Sequence, residues 1–266
     1  VIDLGVAVVI EDDADVRNLL DAVLQQAGFE VHSAATGRDG VDIARQRRAS
    51  VITLDVGLPD IDGFEVLRRI RQFSDAYVVM LTGRNEELDT ITALQGGADD
   101  YIVKPFRPRE LRARISAMMR RPRQGATGDP EAPVGLPGGS PSDPGSAAAG
   151  GARRGGIVLH HNGLALDTET RTVALRGMPL GLTRSEFDLL HELLRGTGAV
   201  RTRADLVRVV RGEYYREDTY ISEADERAVE VHIGNLRRKL REDPQDPRWL
   251  VTVRGVGYRL APKRAE

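Results

Sequence analysis

The chain has no cysteine among its 266 residues. That excludes disulfides, thiolate metal centres and cysteine nucleophiles, and it fits a reducing cytoplasm. Lysine is almost as scarce. Lys104, Lys239 and Lys263 stand among 38 basic residues, the rest arginine, and coding bias explains this as readily as phosphate recognition. No apolar run approaches the roughly 20 residues that cross a bilayer, so no membrane role is expected. The first residues carry no basic flank or small-residue cleavage site, so no targeting signal is expected either. Charge of one sign is also lacking, with a net of -2 overall. Residues 1–121 hold 16 basic against 20 acidic side chains, and residues 157–266 hold 19 against 17. So small a basic excess does not by itself announce a nucleic-acid partner.

What is present divides the chain in three. Residues 122–156 contain six prolines and ten glycines with almost no large apolar side chains, a composition that cannot build a core. This is read as a flexible linker with a reach of roughly 30–35 Å. It separates a domain at 1–121 from one at 157–266. In the first, apolar runs at 6–10, 51–54 and 77–81, with shorter ones near Val31 and at 101–103, alternate with helical spacing such as Val16, Leu19, Leu20, Val23, Leu24 and Ala27. Five such alternations predict an α/β fold with a five-stranded, doubly wound parallel sheet. The second domain reads as mixed α+β. Short strands are expected at 157–159, 164–167 and 172–175, and a capping box (Thr183 with Glu186) opens a helix through Leu194. A terminal hairpin is expected around Gly255 and Gly257.

Carboxylates stand where sheet burial does not require them. Asp55 ends one apolar strand, and Glu11, Asp12 and Asp13 end another. Two parallel strands finishing in acids gather like charges at the carboxyl edge, where open α/β sheets bind ligands. Such a cluster calls for a cation, and all-oxygen ligation suits Mg²⁺, with Mn²⁺ able to replace it. Asp13 is also placed to cap the first helix. Thr82 ends the fourth strand and Lys104 follows the fifth, which brings a hydroxyl and an ammonium to the same edge. Pro59 and Gly63 shape the loop after Asp55, and Tyr101 lies on the last strand, where an aromatic is usually core packing. A carboxylate free to attack phosphorus, with groups to hold the transferred oxygens, makes a phosphoryl-transfer set.

In family order, "VVIEDD", "ITLDVGLPDIDG", "MLTGR" and "GADDYIVKPF" resemble a response-regulator receiver domain of flavodoxin-like fold. "LTRSEFDLL", "RAVEVHIGNLRRKL" and "TVRGVGYRL" resemble the winged helix-turn-helix effector domain of the OmpR/PhoB family. The resemblance implies that a sensor histidine kinase phosphorylates Asp55. Asp12, Asp55 and the backbone carbonyl of Gly57 would ligate Mg²⁺, with Glu11 acting through water. Thr82 and Lys104 would bind the phosphoryl oxygens, and Tyr101 would follow Thr82 inward. Phosphorylation would then drive a homodimer through Asp99, Asp100, Glu110 and Arg114, raising occupancy of promoter DNA. The only catalysis implied is the receiver's own phosphotransfer and autodephosphorylation. Two departures stand out: Gly57 occupies a position more often Met, and Thr90 and Thr92 replace basic residues of the usual dimer salt bridges.

The segment 225–241 places Val229, Ile233, Leu236 and Leu240 on one stripe facing the core. The opposite face carries Arg227, Val231, Gly234, Asn235 and Arg238, chemistry that suits a major groove. The winged-helix resemblance puts Asn235 and Arg237 near base edges, Arg227 and His232 toward phosphates, and Arg254 of the terminal hairpin at a neighbouring groove or backbone. His232 fits an interior position equally well. The stretch 209–226 is the hardest to read. It is the loop from which relatives contact RNA polymerase, and Arg211 stands where they often carry Trp. Three other functions compete with this one. A phosphate-independent DNA binder sits poorly with the intact acid–Thr–Lys set. A haloacid-dehalogenase-type phosphatase would want an Asp at position 57. A protein-contact scaffold would bind no DNA.

Overall fold

The computed structural model describes residues 4–83, 87–119, 157–211 and 221–264. The first unit alternates β1 (Val6–Ile10), α1 (Ala14–Ala27), β2 (Glu30–Ala34), α2 (Gly37–Arg47), β3 (Val51–Asp55), α3 (Gly63–Arg71), β4 (Tyr77–Thr82), α4 (Glu87–Gln95), β5 (Asp100–Val103) and α5 (Pro108–Met119). The strands pair in parallel in the order β2-β1-β3-β4-β5. This is the doubly wound sheet expected from the sequence.

Why the central strands read as unbroken apolar runs is now plain, since helices cover both faces. Ala7, Val9, Val51, Val79 and Leu81 pack with Leu20 and Leu24 of α1 and Leu111 and Ile115 of α5. Their neighbours Val8, Ile10, Ile52, Leu54, Val78 and Met80 pack on the other face with Val41, Val66, Leu67 and Ile70 of α2 and α3. Asp13 caps α1, its Oδ1 accepting from the backbone N–H groups of Asp15 at 2.8 Å and Val16 at 3.1 Å. Those two bonds hold its carboxyl below the ordinary aspartate value.

The second unit runs β6 (Val158–His161), β7 (Leu164–Asp167), β8 (Thr172–Leu175), β9 (Met178–Pro179), α6 (Arg184–Arg195), β10 (Arg201–Thr202), α7 (Arg203–Arg211), α8 (Glu223–Leu240), β11 (Leu250–Val253) and β12 (Gly257–Leu260). A four-stranded antiparallel sheet leads into three helices, and a three-stranded sheet in the order β10-β12-β11 closes the wing. The Thr183–Glu186 capping box opens α6, and a second box, Ser222 with Asp225, opens α8. The α8 stripe Val229, Ile233, Leu236 and Leu240 is buried with Leu189, Leu190 and Leu193 of α6 and with Leu206 and Val207 of α7. The lone tryptophan, Trp249, is buried in this core and donates its indole N–H to the Asn162 carbonyl at 3.1 Å. Two details differ from the sequence expectation. Ile157 lies outside β6 and is exposed, and β9 and β10 are two-residue strands too short for any alternation to show.

The units touch. Asn235 of α8 donates its side-chain amide to the Leu94 carbonyl at the end of α4 at 2.8 Å, and Arg238 donates to the Gln95 carbonyl at 3.3 Å. Asp99, buried, accepts from Arg71 Nη2 at 2.7 Å, from the Val78 N–H at 3.0 Å and, across the seam, from the Ser185 N–H at 3.0 Å. Arg71 also donates to the carbonyls of Gly97 at 2.8 Å and Ala76 at 2.6 Å, tying α3 to the loop that presents Asp99.

Candidate functional site

Because all five strands of the first unit run the same way, their last residues meet at one edge of the sheet. Glu11 and Asp12 follow β1, Asp55 ends β3, Thr82 ends β4 and Lys104 follows β5. Carboxylate oxygens of Glu11, Asp12 and Asp55 all lie within 4.8 Å of one another. Glu11 and Asp55 are buried while Asp12 is exposed to solvent. Lys104 Nζ bridges them, 2.7 Å from Asp55 Oδ1 and 2.8 Å from Glu11 Oε2. Its backbone N–H donates to the Thr82 carbonyl at 2.7 Å, which fixes the lysine to the strand carrying the threonine.

The electrostatics follow from this crowding. Burial pushes the Glu11 carboxyl above the ordinary glutamate value, and the neighbouring Asp55 charge adds to it, against the opposing pull of Lys104. Burial alone would lower the Lys104 ammonium, but its hydrogen bonds to Asp55 and Glu11 outweigh that and hold it above its usual value. Three carboxylates against one ammonium leave uncompensated negative charge at an oxygen-only site. That donor set fits a hard divalent cation such as Mg²⁺. Thr82 is almost fully buried, and its hydroxyl has no hydrogen-bond partner among the described residues. A buried polar group without a partner is costly unless something else fills the role.

The loop after Asp55 is shaped by glycine where shape demands it. A Cβ at Gly63 would lie 2.3 Å from the Asp55 carbonyl oxygen, so only glycine lets the loop close back on β3. At Gly57 a Cβ would sit 3.6 Å from Asp55 Oδ2, an ordinary contact, so the position has room for a side chain beside the carboxylate. Arg17, which the sequence reading passed over, donates to the carbonyls of Glu11 at 2.7 Å and Asp12 at 2.9 Å and so holds the acidic turn in place. Its partners are backbone atoms, which leave no mark in a sequence.

The remaining singled-out residues fall into two groups. Asp99 and Asp100 are buried at the seam between units, while Arg114 bonds Asp100 at 3.2 Å and Glu110 at 2.8 Å on α5. Tyr101, half-buried on β5, has its phenol raised above the usual value chiefly by burial, and the charges around it include Arg211, Asp225 and Arg227 of the second unit. On α8, Arg227 is exposed and Val231 half-buried, but His232 and Asn235 are buried against the first unit. His232 Nε2 lies 3.2 Å from the Asp99 carbonyl, and burial lowers its imidazole below the ordinary value. Arg237 donates to Thr252 Oγ1 at 2.7 Å and so leans on the wing. Arg238 bonds Asn235 Oδ1 at 2.8 Å besides reaching Gln95, and Arg254 is exposed on the wing turn. The side chain of Thr90, residues 212–220 of the expected polymerase-contacting loop, and the whole of the expected linker, 122–156, lie outside the described set.

Residues 7–116 match the family model described as response regulator receiver domain, and residues 177–260 match transcriptional regulatory protein, C terminal. The chain is 38% identical over 253 residues to Transcriptional regulatory protein AfsQ1 of Streptomyces coelicolor, covering 95% of this chain and 96% of that one. It is 35% identical over 252 residues to Sensory transduction protein RegX3 of Mycolicibacterium smegmatis, covering 95% and 97%. Among solved structures, a RitR mutant superposes with a TM-score of 0.69 at 24% identity, covering 97% of this chain and 99% of that one, a likeness of fold.

Proposed function

The chain belongs to the response-regulator family of OmpR/PhoB type, a receiver joined to a transcriptional DNA-binding domain, and from that premise we propose that Asp55 is the phosphoryl acceptor controlling its grip on promoter DNA. The observation that carries this reading is the Lys104 ammonium held between Asp55 and Glu11 beside a buried Thr82 hydroxyl that has no hydrogen-bond partner among the described residues. In the transfer, a carboxylate oxygen of Asp55 attacks the phosphorus of a kinase phosphohistidine. The phosphorus–nitrogen bond breaks and the imidazole leaves with its electron pair. Lys104 and Thr82 hold two of the phosphoryl oxygens by charge and hydrogen bond, which stabilises negative charge where it develops. Asp12, Asp55 and the Gly57 carbonyl would hold Mg²⁺, with Glu11 acting through water, and the cation supplies charge neutralisation between carboxylate and phosphate.

In this reading the chain works in the cytoplasm, and its partners are a sensor histidine kinase, a second copy of the chain, double-stranded promoter DNA and RNA polymerase. The dimer uses Asp99, Asp100, Glu110 and Arg114, and the DNA face comprises Arg227, Val231, His232, Asn235, Arg237, Arg238 and Arg254. Among the described residues no helix is long and apolar enough to cross a membrane. The deciding experiment is labelling by a small acyl phosphate, with the native chain and Asp55→Asn run side by side on a phosphate-retarding gel. A retarded band that needs both Mg²⁺ and Asp55 is expected. A band that persists in Asp55→Asn would move the acceptor elsewhere.

Gly57 supplies a second test. With space for a side chain beside the Asp55 carboxylate, Gly57→Met covers the acyl phosphate and shields it from water. We expect its phosphoryl half-life to lengthen by about threefold, a barrier change of roughly 0.7 kcal/mol. Equal dephosphorylation rates in the two proteins would show that water does not enter past position 57.

A further inference from the structure

Two backbone segments carry the candidate metal ligands, and each is fixed from outside. Arg17 holds the turn after β1. The loop after β3, residues 56–62, is closed at its base by the Gly63 N–H on the Val56 carbonyl at 3.0 Å. Its far side is tied to α2 by Asp60. Asp60 Oδ1 accepts from the Gly37 N–H at 2.7 Å, and Oδ2 accepts from the Arg38 N–H at 3.0 Å. Resting on the reading of Asp55 given above, we propose that Asp60 is a positioning residue for the divalent cation. It lies outside the carboxylate cluster, and by clamping the loop to α2 it sets where the Gly57 carbonyl lies.

The start of α2 shows that the clamp does more than begin a helix. Gly37 and Arg38 open α2, and their N–H groups have no partner inside it. Thr36 already supplies a local cap, its hydroxyl accepting from the Asp39 N–H at 3.3 Å. The Asp60 carboxylate arrives from 23 positions along the chain to take the first two donors. Negative charge at the positive end of a helix makes both bonds charge-assisted. Burial alone would raise the Asp60 carboxyl, but the Gly37 and Arg38 bonds, with the Ile61 N–H, together outweigh it and hold it below the ordinary aspartate value.

Gly57 makes the loop depend on such a clamp. It would ligate through its carbonyl alone, and glycine has the freest backbone of any residue. A side chain at this exposed position would anchor the loop, and there is none. Leu58 and Ile61 press the loop onto the core, but apolar contacts are non-directional. The two bonds of Asp60 are directional and fix the loop's orientation. Apparent affinity for a cation scales with the fraction of molecules whose loop already holds the ligating conformation.

The test titrates Mn²⁺, standing in for Mg²⁺, into the full chain without phosphodonor and reads free Mn²⁺ by electron paramagnetic resonance. Asp60→Ala is expected to weaken Mn²⁺ binding by about tenfold, the low end of the loss on removing a group that supports a metal ligand. Asp60→Asn offers a single acceptor oxygen and should fall between, and it carries the test if Asp60→Ala does not fold. Thr36→Ala weakens the α2 cap and spares the clamp, so it should lower stability and leave Mn²⁺ affinity unchanged. Acyl-phosphate labelling gives a second readout. Asp60→Ala should label slowly at low Mg²⁺ and at the native rate at saturating Mg²⁺, a shift that general loss of structure would not produce. Native Mn²⁺ affinity in a folded Asp60 variant overturns the clamp, as does an equal loss in Thr36→Ala. The two readings fail separately. Normal Asp55-dependent labelling with unmoved Mn²⁺ affinity sinks the clamp alone. Weakened Mn²⁺ binding beside labelling that ignores Asp55 leaves the clamp standing and moves the acceptor elsewhere. A native chain that binds no Mn²⁺ overturns both.

Discussion

Lys104→Met is expected to slow phosphorylation by a small acyl phosphate by about 10²–10³-fold, the loss typical of removing one preorganised group from developing oxyanion charge. The ammonium is the only cation among the described residues placed between Glu11 and Asp55, at 2.8 and 2.7 Å. Without it, the incoming phosphoryl oxygens meet carboxylates and one hydroxyl. The resting protein suffers too. Glu11 is buried and already raised by desolvation and by Asp55, so losing its one cationic partner leaves a buried acid facing a second. Breaking a buried pair from one side costs about 3–5 kcal/mol. A bound divalent cation offsets much of that, because it binds the folded site and not the unfolded chain. Mg²⁺ should therefore raise the melting temperature of Lys104→Met more than that of the native chain. Labelling at the native rate, or an equal Mg²⁺ increment in both proteins, would remove Lys104 from the role given to it.

Gly257→Ala should dismantle the wing. A Cβ at that position would lie 2.0 Å from the Arg201 carbonyl oxygen and 2.9 Å from Thr202 Cα. Both are backbone atoms of β10, which pairs with β12 through Arg201↔Tyr258 and Thr202↔Gly257, so no side-chain rotation relieves the clash. Either β10 leaves the sheet or β12 shifts, and β12 carries the buried Tyr258 and Leu260 into the effector core. Overpacking of this kind costs about 1–3 kcal/mol, and a domain of this size loses roughly 4–8 °C of melting temperature per kcal/mol. Arg254 sits on the turn that β11 and β12 support, so DNA affinity should fall with stability. Calorimetry of the native chain and the variant reads the first effect, and duplex binding reads the second. An unaltered melting profile would mean that β10 moves aside freely.

How much of this was visible in the sequence depends on where each residue's partner lies. The receiver strands were legible because a parallel sheet covered on both faces needs continuous apolar runs, and Ala7, Val8, Val9 and Ile10 supply one. Asp55, Thr82 and Lys104 stood out because each interrupts or ends such a run with chemistry that burial does not explain. The helix stripe of Val229, Ile233, Leu236 and Leu240 showed which face of α8 enters its own core. Periodicity could not show that another unit covers the opposite face, so the burial of Asn235 was out of reach, whereas His232, flanking the apolar stripe, already fitted an interior position. Arg17 and Arg71 were illegible for a related reason, since most of their bonds go to carbonyl oxygens that every residue possesses. Arg211 pairs across 111 positions of chain with Asp100, a separation over which no local pattern carries information.

Trp249 has a practical consequence. It is the chain's only tryptophan, it lies buried in the effector core, and its indole N–H is already committed to the Asn162 carbonyl. The receiver contributes none of this signal. Indole emission from the intact protein is thus a one-domain optical gauge. Unfolding followed by that emission reports the DNA-binding half alone, while far-ultraviolet dichroism reports both halves together. A gap between the two curves would measure how independently the halves melt, with no label and no truncation.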